Sequence, residues 1–175
     1  GQLDVLKLKH ALSAWQTSLD GIGWNALYME NHDVPRAVSV FGDTRPEFWA
    51  MSAKAIAMMY FFLQGTPFIY QGQEIGMTNM PFESIDQVDA VDSKRLYERL
   101  LGFPDYKTRE EALDIIRETT RDNSRTPMQW TSEEYAGFST QEPWMITNPN
   151  TKTINVEQQE HEPDSILQFY KNMIR

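Results

Sequence analysis

The polar run at residues 30–36 constrains the fold of this chain more than any other feature of its sequence. Residues 23–30, which lead into it, are mostly apolar and aromatic and predict a buried strand. Pro35 has no backbone N–H and disfavours helical geometry in the residue before it, so we expect the strand to end here. Polar side chains at the C-terminal end of a buried strand are typical of α/β enzymes. In this chain they are Glu30, Asn31, His32, Asp33 and Arg36.

The first 75 residues predict an α/β fold in which helices and strands alternate along a parallel sheet. Apolar residues at helical spacing predict an amphipathic helix over residues 3–19. The spacing of Thr44 and Glu47 matches a capping box and predicts a long apolar helix that ends near Leu63. Residues 66–71 predict a second short buried strand. The polar residues at its end are Gln71, Gln73 and Glu74.

The later part of the chain is less regular. Helices are predicted over residues 93–101 and 108–119, and the second of them opens with a capping box. Residues 121–155 are rich in Pro, Asn, Thr and Trp and predict a long ordered loop. Asp164 is the predicted N-cap of a last helix.

Length and composition indicate one soluble domain. A chain of 175 residues can bury one sizeable core, so we predict one domain over residues 1–175, with an inserted helical and loop region at about 78–160. The formal charge of −9 disfavours nucleic-acid and anionic-membrane partners, which bind basic surfaces. The sequence has no cysteine and no apolar run as long as a membrane span, so we expect a cytoplasmic protein.

Asp33 is the first candidate for chemistry. Beside the imidazole of His32, its carboxylate could accept two hydroxyl hydrogen bonds while the imidazole donates a third, as a sugar ring requires. The alternative is that Asp33 only caps the turn before Pro35. A metal site is a further alternative, because Asn-His also occurs among the ligands of metallophosphatases. That site needs more ligand clusters, and the other histidines, His10 and His161, have no such neighbours, so we predict no metal.

A second candidate cluster lies at residues 121–130. It could be a solvated loop in which Asp122 is neutralised by a neighbouring arginine. However, Met128 and Trp130 are costly to expose, and arginine beside aromatic surface often holds a polar ligand. We therefore predict a loop that lines a cleft. For Glu74, a hydrogen bond that fixes its own loop is the favoured interpretation.

Long motifs then occur in a defined order, at residues 30–36, 65–79, 121–130, 136–144 and 154–156. Together they closely resemble the α-amylase family of glycoside hydrolases, in the α-glucosidase branch with oligo-1,6-glucosidase, dextran glucosidase and trehalose-6-phosphate hydrolase. The resemblance implies a (β/α)₈ TIM barrel and a retaining mechanism without an organic cofactor. It places residues 23–30 as strand seven and 66–71 as strand eight.

The same resemblance implies residue roles. Asp33 resembles the third catalytic carboxylate, which grips ring hydroxyls and helps to distort the sugar. His32 resembles the neighbour that hydrogen-bonds the same glucose, and Arg121 the arginine that closes the floor of that subsite. Asp92 corresponds to an acidic position near the leaving-group subsite. The substrate implied is a short oligosaccharide. Two positions depart from many relatives: Val34 replaces Gln, and Gln73 replaces Glu.

In this family the nucleophile and the general acid lie on earlier strands. Retaining hydrolysis needs these two carboxyl groups roughly 5 Å apart. We therefore expect the C-terminal part of a barrel, which carries part of the glucose subsite and is inactive alone. The alternative is a non-catalytic carbohydrate-binding or structural piece. Two strands cannot close a barrel, so bare apolar side chains such as Trp24 and Phe68 should drive self-association.

Overall fold

The computed structural model describes residues 4–175. Within this range it contains two short strands and seven α-helices, joined by loops with several 3₁₀ turns. The strands are β1 (Ala26–Leu27) and β2 (Thr66–Pro67). The helices are α1 (Val5–Leu19), α2 (Ala37–Phe41), α3 (Pro46–Phe61), α4 (Val91–Leu101), α5 (Arg109–Thr119), α6 (Val156–His161) and α7 (Ile166–Ile174).

The two strands confirm the predicted parallel α/β unit. Ala26 pairs with Thr66 and Leu27 with Pro67, and α2 and α3 connect the strands. The Thr66 N–H donates to the Asn25 carbonyl at 2.8 Å, and the N–H of the residue after Pro67 donates to the Leu27 carbonyl at 2.7 Å. Both strands are shorter than predicted. Pro67 donates no hydrogen bond, and the described residues supply no third strand that would extend the ladder.

Three hydrophobic clusters hold the loops that follow the strands. The first joins α2, α3 and α7 through Ala37, Val38, Ala53, Ile56, Ala57, Ile166 and Tyr170. The second lies beneath α4 and α5 and is built from Met80, Phe82, Val88, Ala90 and Ile116. The third brings Ile75, Met77, Met128 and Leu167 together. Because the third cluster contains residues from the loop after β2 and from the 121–130 region, it places these two segments side by side.

Several predicted helix boundaries were wrong. The capping box at Thr44 does not form: Arg45 is the N-cap of α3, and Asp43 accepts a hydrogen bond from its N–H instead. The last helix is capped by Ser165 rather than by Asp164. By contrast, the predicted capping box at Thr108 is present in α5. Short helices α2 and α6 were not predicted, because five or six residues give too little periodicity to recognise.

The first helix, α1, was predicted over residues 3–19, of which residue 3 lies outside the described part of the chain. Asp4 is its N-cap, and its side chain accepts a hydrogen bond from the Lys7 N–H. None of the residues of α1 is buried, although its apolar spacing predicts a packed face. The side chain of Gln16 on α1 makes two hydrogen bonds to the backbone of Gln64, just after α3: it donates to the Gln64 carbonyl and accepts from the Gln64 N–H. Among the described helices, none has the length and apolarity to cross a membrane.

Candidate active site

The loop after β1 presents Asp33 at the C-terminal end of the sheet. The side chain of Asn31 accepts a hydrogen bond from the Asp33 N–H at 2.7 Å and so closes the turn. The interpretation of Asp33 as the cap of this turn is therefore wrong, since Asn31 takes that role. The carboxylate of Asp33 is left 53% exposed and available for other contacts.

Three nitrogen-bearing side chains surround that carboxylate. Oδ1 of Asp33 lies 3.0 Å from Nη2 of Arg125 and 3.6 Å from Nη1 of Arg121. Oδ2 lies 3.1 Å from Nε2 of His32. Partly exposed ion pairs of this kind add little stability. Their effect is to orient the carboxylate, which keeps a solvent-facing side that ligand hydroxyls can reach.

Arg121 also joins Asp33 to Asp92. Its second terminal nitrogen, Nη2, lies 3.4 Å from Oδ1 of Asp92, in the first turn of α4. Asp122 fixes the start of that helix, because its buried Oδ2 accepts hydrogen bonds from the N–H groups of Asp89 and Ala90 at 2.7 and 2.8 Å. The interpretation that an arginine neutralises Asp122 is therefore wrong. The structure thus brings all four candidate residues of the sequence into one cluster, while their roles stay predictions.

Arg125 is a site residue that the sequence reasoning did not single out. Its Nε donates to the His32 carbonyl at 2.9 Å, while its Nη2 donates to Asp33. It thereby holds the backbone of one candidate residue and the side chain of the next. Its closeness to Arg121 in sequence was the available signal, because Arg121 begins a 3₁₀ turn and Arg125 is the C-cap of that turn.

The loop after β2 contributes a buried polar network behind the cluster. Nε2 of Gln73 donates to the hydroxyls of Tyr60 and Tyr170 at 3.2 and 3.0 Å. Burial raises the pKa of Tyr60 to about 12 and raises that of Tyr170 further, so both stay neutral at physiological pH. The network links α3 and α7 to the end of β2 and supports the loop from below.

Glu74, in the same loop, has a partly buried carboxylate. Its Oε2 is buried with no hydrogen-bond partner among the described residues. Burial raises the pKa of Glu74, while backbone N–H groups of Glu74 and Gly72, and then the charge of Arg36, act in the opposite direction. The loop-fixing hydrogen bond predicted for Glu74 therefore satisfies its carboxylate only in part.

The raised pKa of Glu74 gives a test in stability. A carboxyl group whose folded-state pKa is raised favours the fold when protonated and disfavours it once ionised. Glu74→Gln should therefore raise the free energy of unfolding at pH 8 by about 1 kcal/mol, the scale of the penalty for a buried polar atom without a hydrogen-bond partner. This gain should disappear at about pH 4, where wild-type Glu74 is neutral as well. Urea unfolding at the two pH values measures the difference.

Glu111→Gln is the control for this measurement. Hydrogen bonds from the backbone N–H and the hydroxyl of Thr108 lower the pKa of Glu111, so its ionised form stabilises the fold. The control variant should therefore lose stability at pH 8, in the opposite direction from Glu74→Gln. A Glu74→Gln gain that is the same at both pH values would contradict an origin in ionisation.

The histidines offer no metal centre. Within residues 4–175, no group of three or more histidine and carboxylate side chains is arranged to hold a metal ion. His32 contacts Asp33, while His10 and His161 lie on α1 and at the end of α6, apart from the cluster. The metallophosphatase interpretation of the Asn31–His32 pair thus finds no further ligands in the described part of the chain.

Comparisons with known proteins found a matching family model and several relatives. The family model described as alpha amylase, catalytic domain, matches residues 1–175. Probable oligo-1,6-glucosidase 3 of Bacillus subtilis is 50% identical over 173 residues, which are 99% of this chain and 31% of that protein. Glucan 1,6-alpha-glucosidase of Streptococcus pneumoniae is 46% identical over 178 residues, with 99% and 32% covered.

Solved structures show the same extent of similarity. An isomaltulose synthase from Klebsiella superposes with a TM-score of 0.92 at 42% identity, over 99% of this chain and 31% of that one. The isomaltulose synthase from Protaminobacter rubrum gives a TM-score of 0.93 at 40% identity, with 99% and 31% covered. The chain therefore spans about a third of the length of each of these relatives.

Proposed function

The chain belongs to the alpha-amylase catalytic-domain family, and we propose from this that it supplies part of the glucose-binding subsite of a retaining α-glucosidase. Its strands β1 and β2 are two neighbouring strands of a (β/α)₈ barrel. The substrates are short oligosaccharides with α-glucosidic bonds. The observation that carries the proposal is the convergence of His32, Arg121 and Arg125 on the Asp33 carboxylate at the C-terminal end of these strands.

The geometry suits a carboxylate that grips a sugar ring. Oδ1 of Asp33 pairs with the two arginines and Oδ2 with the imidazole, while the side chain stays 53% exposed and can accept further hydrogen bonds. Two adjacent ring hydroxyls can donate to these oxygens, while His32 donates to a ring oxygen nearby. As the ring flattens towards the oxocarbenium-like transition state, hydrogen bonds to ring hydroxyls strengthen, which lowers the barrier.

The carboxyl pair that breaks the bond has to come from residues other than Asp33. Glu30 is buried against Arg36, and the family resemblance assigns Asp92 to the leaving-group subsite rather than to bond cleavage. We assign the nucleophile and the general acid to other strands of the barrel, as the family resemblance implies. The absence of cysteine is the ground for the proposed cytoplasmic location.

An assay of the full-length protein that carries this chain tests the function. It should release glucose from p-nitrophenyl α-glucoside, and NMR of the first product should show the α-anomer. A panel of isomaltose, maltose, trehalose 6-phosphate and sucrose would identify the linkage, and formation of isomaltulose from sucrose would separate hydrolysis from the synthesis for which the isomaltulose synthases are named. Binding of glucose without turnover would favour the alternative, a non-catalytic carbohydrate-binding piece.

We further propose that the 175-residue chain self-associates when it is alone. Its strand pair has two open edges, and apolar side chains beside it are bare, with Trp24 66% and Phe62 76% exposed. Symmetric pairing of two copies would cover these faces and edges together. Light scattering at high micromolar concentration measures the result. A clean monomer of 20.4 kDa would contradict the proposal.

A further inference from the structure

Arg36 lies directly beneath the Asp33 cluster, where three segments of the chain meet. These are the loop after β1 (residues 30–36), the loop after β2 (68–74) and the 3₁₀ turn that carries both site arginines (121–125). The side chain of Arg36 is 1% exposed. It is among the largest fully buried side chains in the described part of the chain.

The guanidinium of Arg36 makes one hydrogen bond or more to each of the three segments. Nη1 donates to Oε2 of Glu30 at 3.1 Å and to the carbonyl of Gln71 at 2.7 Å. Nε donates to the carbonyl of Asn123 at 3.2 Å. A lysine could reach only part of this set, because the fixed fork of a guanidinium sets the directions of its donors.

Neighbouring hydrogen bonds also connect the three segments to one another. Oε1 of Glu30 accepts from the Ala37 N–H at 2.7 Å, which fixes the start of α2. The Tyr70 hydroxyl donates to the Ser124 carbonyl at 2.9 Å, and the Ser124 hydroxyl donates to the Val34 carbonyl. Asp33 lies three residues before Arg36. Arg121 and Arg125 each lie two residues from its partner Asn123.

A gain in stability does not explain a buried ion pair at this place. Moving a guanidinium and a carboxylate out of water is costly for each ion, and well-packed apolar residues often replace such pairs without loss of stability. The guanidinium of Arg36 fixes the distance between the loop that carries Asp33 and the turn that carries its arginine partners. An apolar residue could not fix this distance.

We propose that Arg36 is a positioning residue, which holds Asp33 at hydrogen-bonding distance from Arg125 and at ion-pairing distance from Arg121. It does not touch the substrate and acts through the carboxylate of Asp33. The inference rests on the proposed function of Asp33 for its kinetic consequence, although its structural consequence can be measured without any turnover.

The test uses the full-length protein with the double substitution Glu30→Gln/Arg36→Met. This variant removes the fork together with the carboxylate that pairs with it, and the amide oxygen introduced at position 30 would still accept from the Ala37 N–H. We expect kcat to fall about 100-fold, since a displacement of about 1 Å can cost that much. KM should change less than about threefold, as expected when an interaction of the transition state is lost. In an Asp33→Asn background, the same double substitution should lower kcat by less than about threefold.

Leu113→Ala is the control for lost stability. Leu113 is buried in the hairpin of α4 and α5, outside the three segments, and truncating it leaves a cavity. It should lower Tm while kcat stays within about twofold of wild type. If Glu30→Gln/Arg36→Met lowers kcat by the same factor with and without Asp33, then Arg36 does not act through Asp33 and the proposal is overturned.

A crystal structure of the variant decides the matter independently of activity. The distance between Oδ1 of Asp33 and Nη2 of Arg125, 3.0 Å here, should exceed about 3.5 Å, the limit of a hydrogen bond. An unchanged distance would overturn the proposal even if kcat had fallen. If wild type shows no turnover, the proposed function fails, while this distance still tests Arg36. If the double variant does not fold, Arg36→Lys replaces it in the test. A lysine variant whose kcat and Asp33–Arg125 distance both equal those of the wild type would also overturn the proposal.

Discussion

Asp33→Asn in the full-length protein should lower kcat by on the order of 10²–10³-fold or more, with a much smaller change in substrate affinity. The amide keeps the size of the side chain and one acceptor oxygen. However, it loses the negative charge that Arg121 and Arg125 orient from 3.6 and 3.0 Å. If that charge acts mainly as the ring distorts, its loss raises the barrier more than it weakens binding.

Steady-state kinetics with p-nitrophenyl α-glucoside measures the effect, and Asp114→Asn is its matched control. Asp114 pairs with Arg117, which is 28% exposed, much as Asp33 pairs with Arg125, which is 30% exposed. The control therefore removes a similar ion pair far from the cluster and should leave kcat unchanged. A change confined to KM in Asp33→Asn would mean that Asp33 only binds substrate.

The sequence predicted the site better than it predicted the boundaries of the elements. The position of Asp33 at a strand end and the family motif that contains Arg121 predicted that these two residues share one site. They are separated by 88 positions in sequence, yet Nη1 of Arg121 lies 3.6 Å from Oδ1 of Asp33. Such predictions succeed because the end of a buried strand has a fixed place in a parallel α/β fold. The roles of these residues remain predictions.

The errors share one physical cause, which is competition between local partners. Thr44 and Asp164 have the side chains of good N-caps, but Asp43 and Ser165 accept the relevant hydrogen bonds instead. Asp122 has two arginines close by in sequence, yet it binds backbone N–H groups of a segment more than 30 residues away. Arg125 was overlooked because its partners, His32 and Asp33, are distant in sequence. Only the folded chain determines which of several competent partners is used.

The strand lengths show a second limit of sequence patterns. Residues 23–30 have the apolar character of a buried strand, but Trp24 and Tyr28 are exposed and pairing stops after Leu27. The apolar pattern matches a sheet with neighbours on both sides, as in the closed barrel of the family. With two strands in the described residues, each strand has a hydrogen-bonded neighbour on one edge only. The apolar pattern therefore predicts longer strands than these residues form.

The 175-residue chain alone should not hydrolyse p-nitrophenyl α-glucoside, isomaltose or trehalose 6-phosphate. Retaining cleavage requires a nucleophile and a general acid roughly 5 Å apart across the scissile bond. Glycosidases reach accelerations of more than about 10⁶-fold only with such groups in place. The family resemblance assigns Asp33 to gripping the sugar ring and Asp92 to the leaving-group subsite, while Glu30 is buried under Arg36, so none of the three is proposed as nucleophile or general acid.

The measurement compares the purified chain with the full-length protein at equal molar concentration, by release of p-nitrophenol and of glucose. The full-length protein is the positive control, and the chain should not exceed the rate in buffer. A trace of contaminating glucosidase would give turnover that is the same for the wild-type chain and for its Asp33→Ala variant. Turnover that survives repeated purification and disappears with Asp33→Ala would contradict the prediction, because it would show that the groups around Asp33 form a complete catalytic site by themselves.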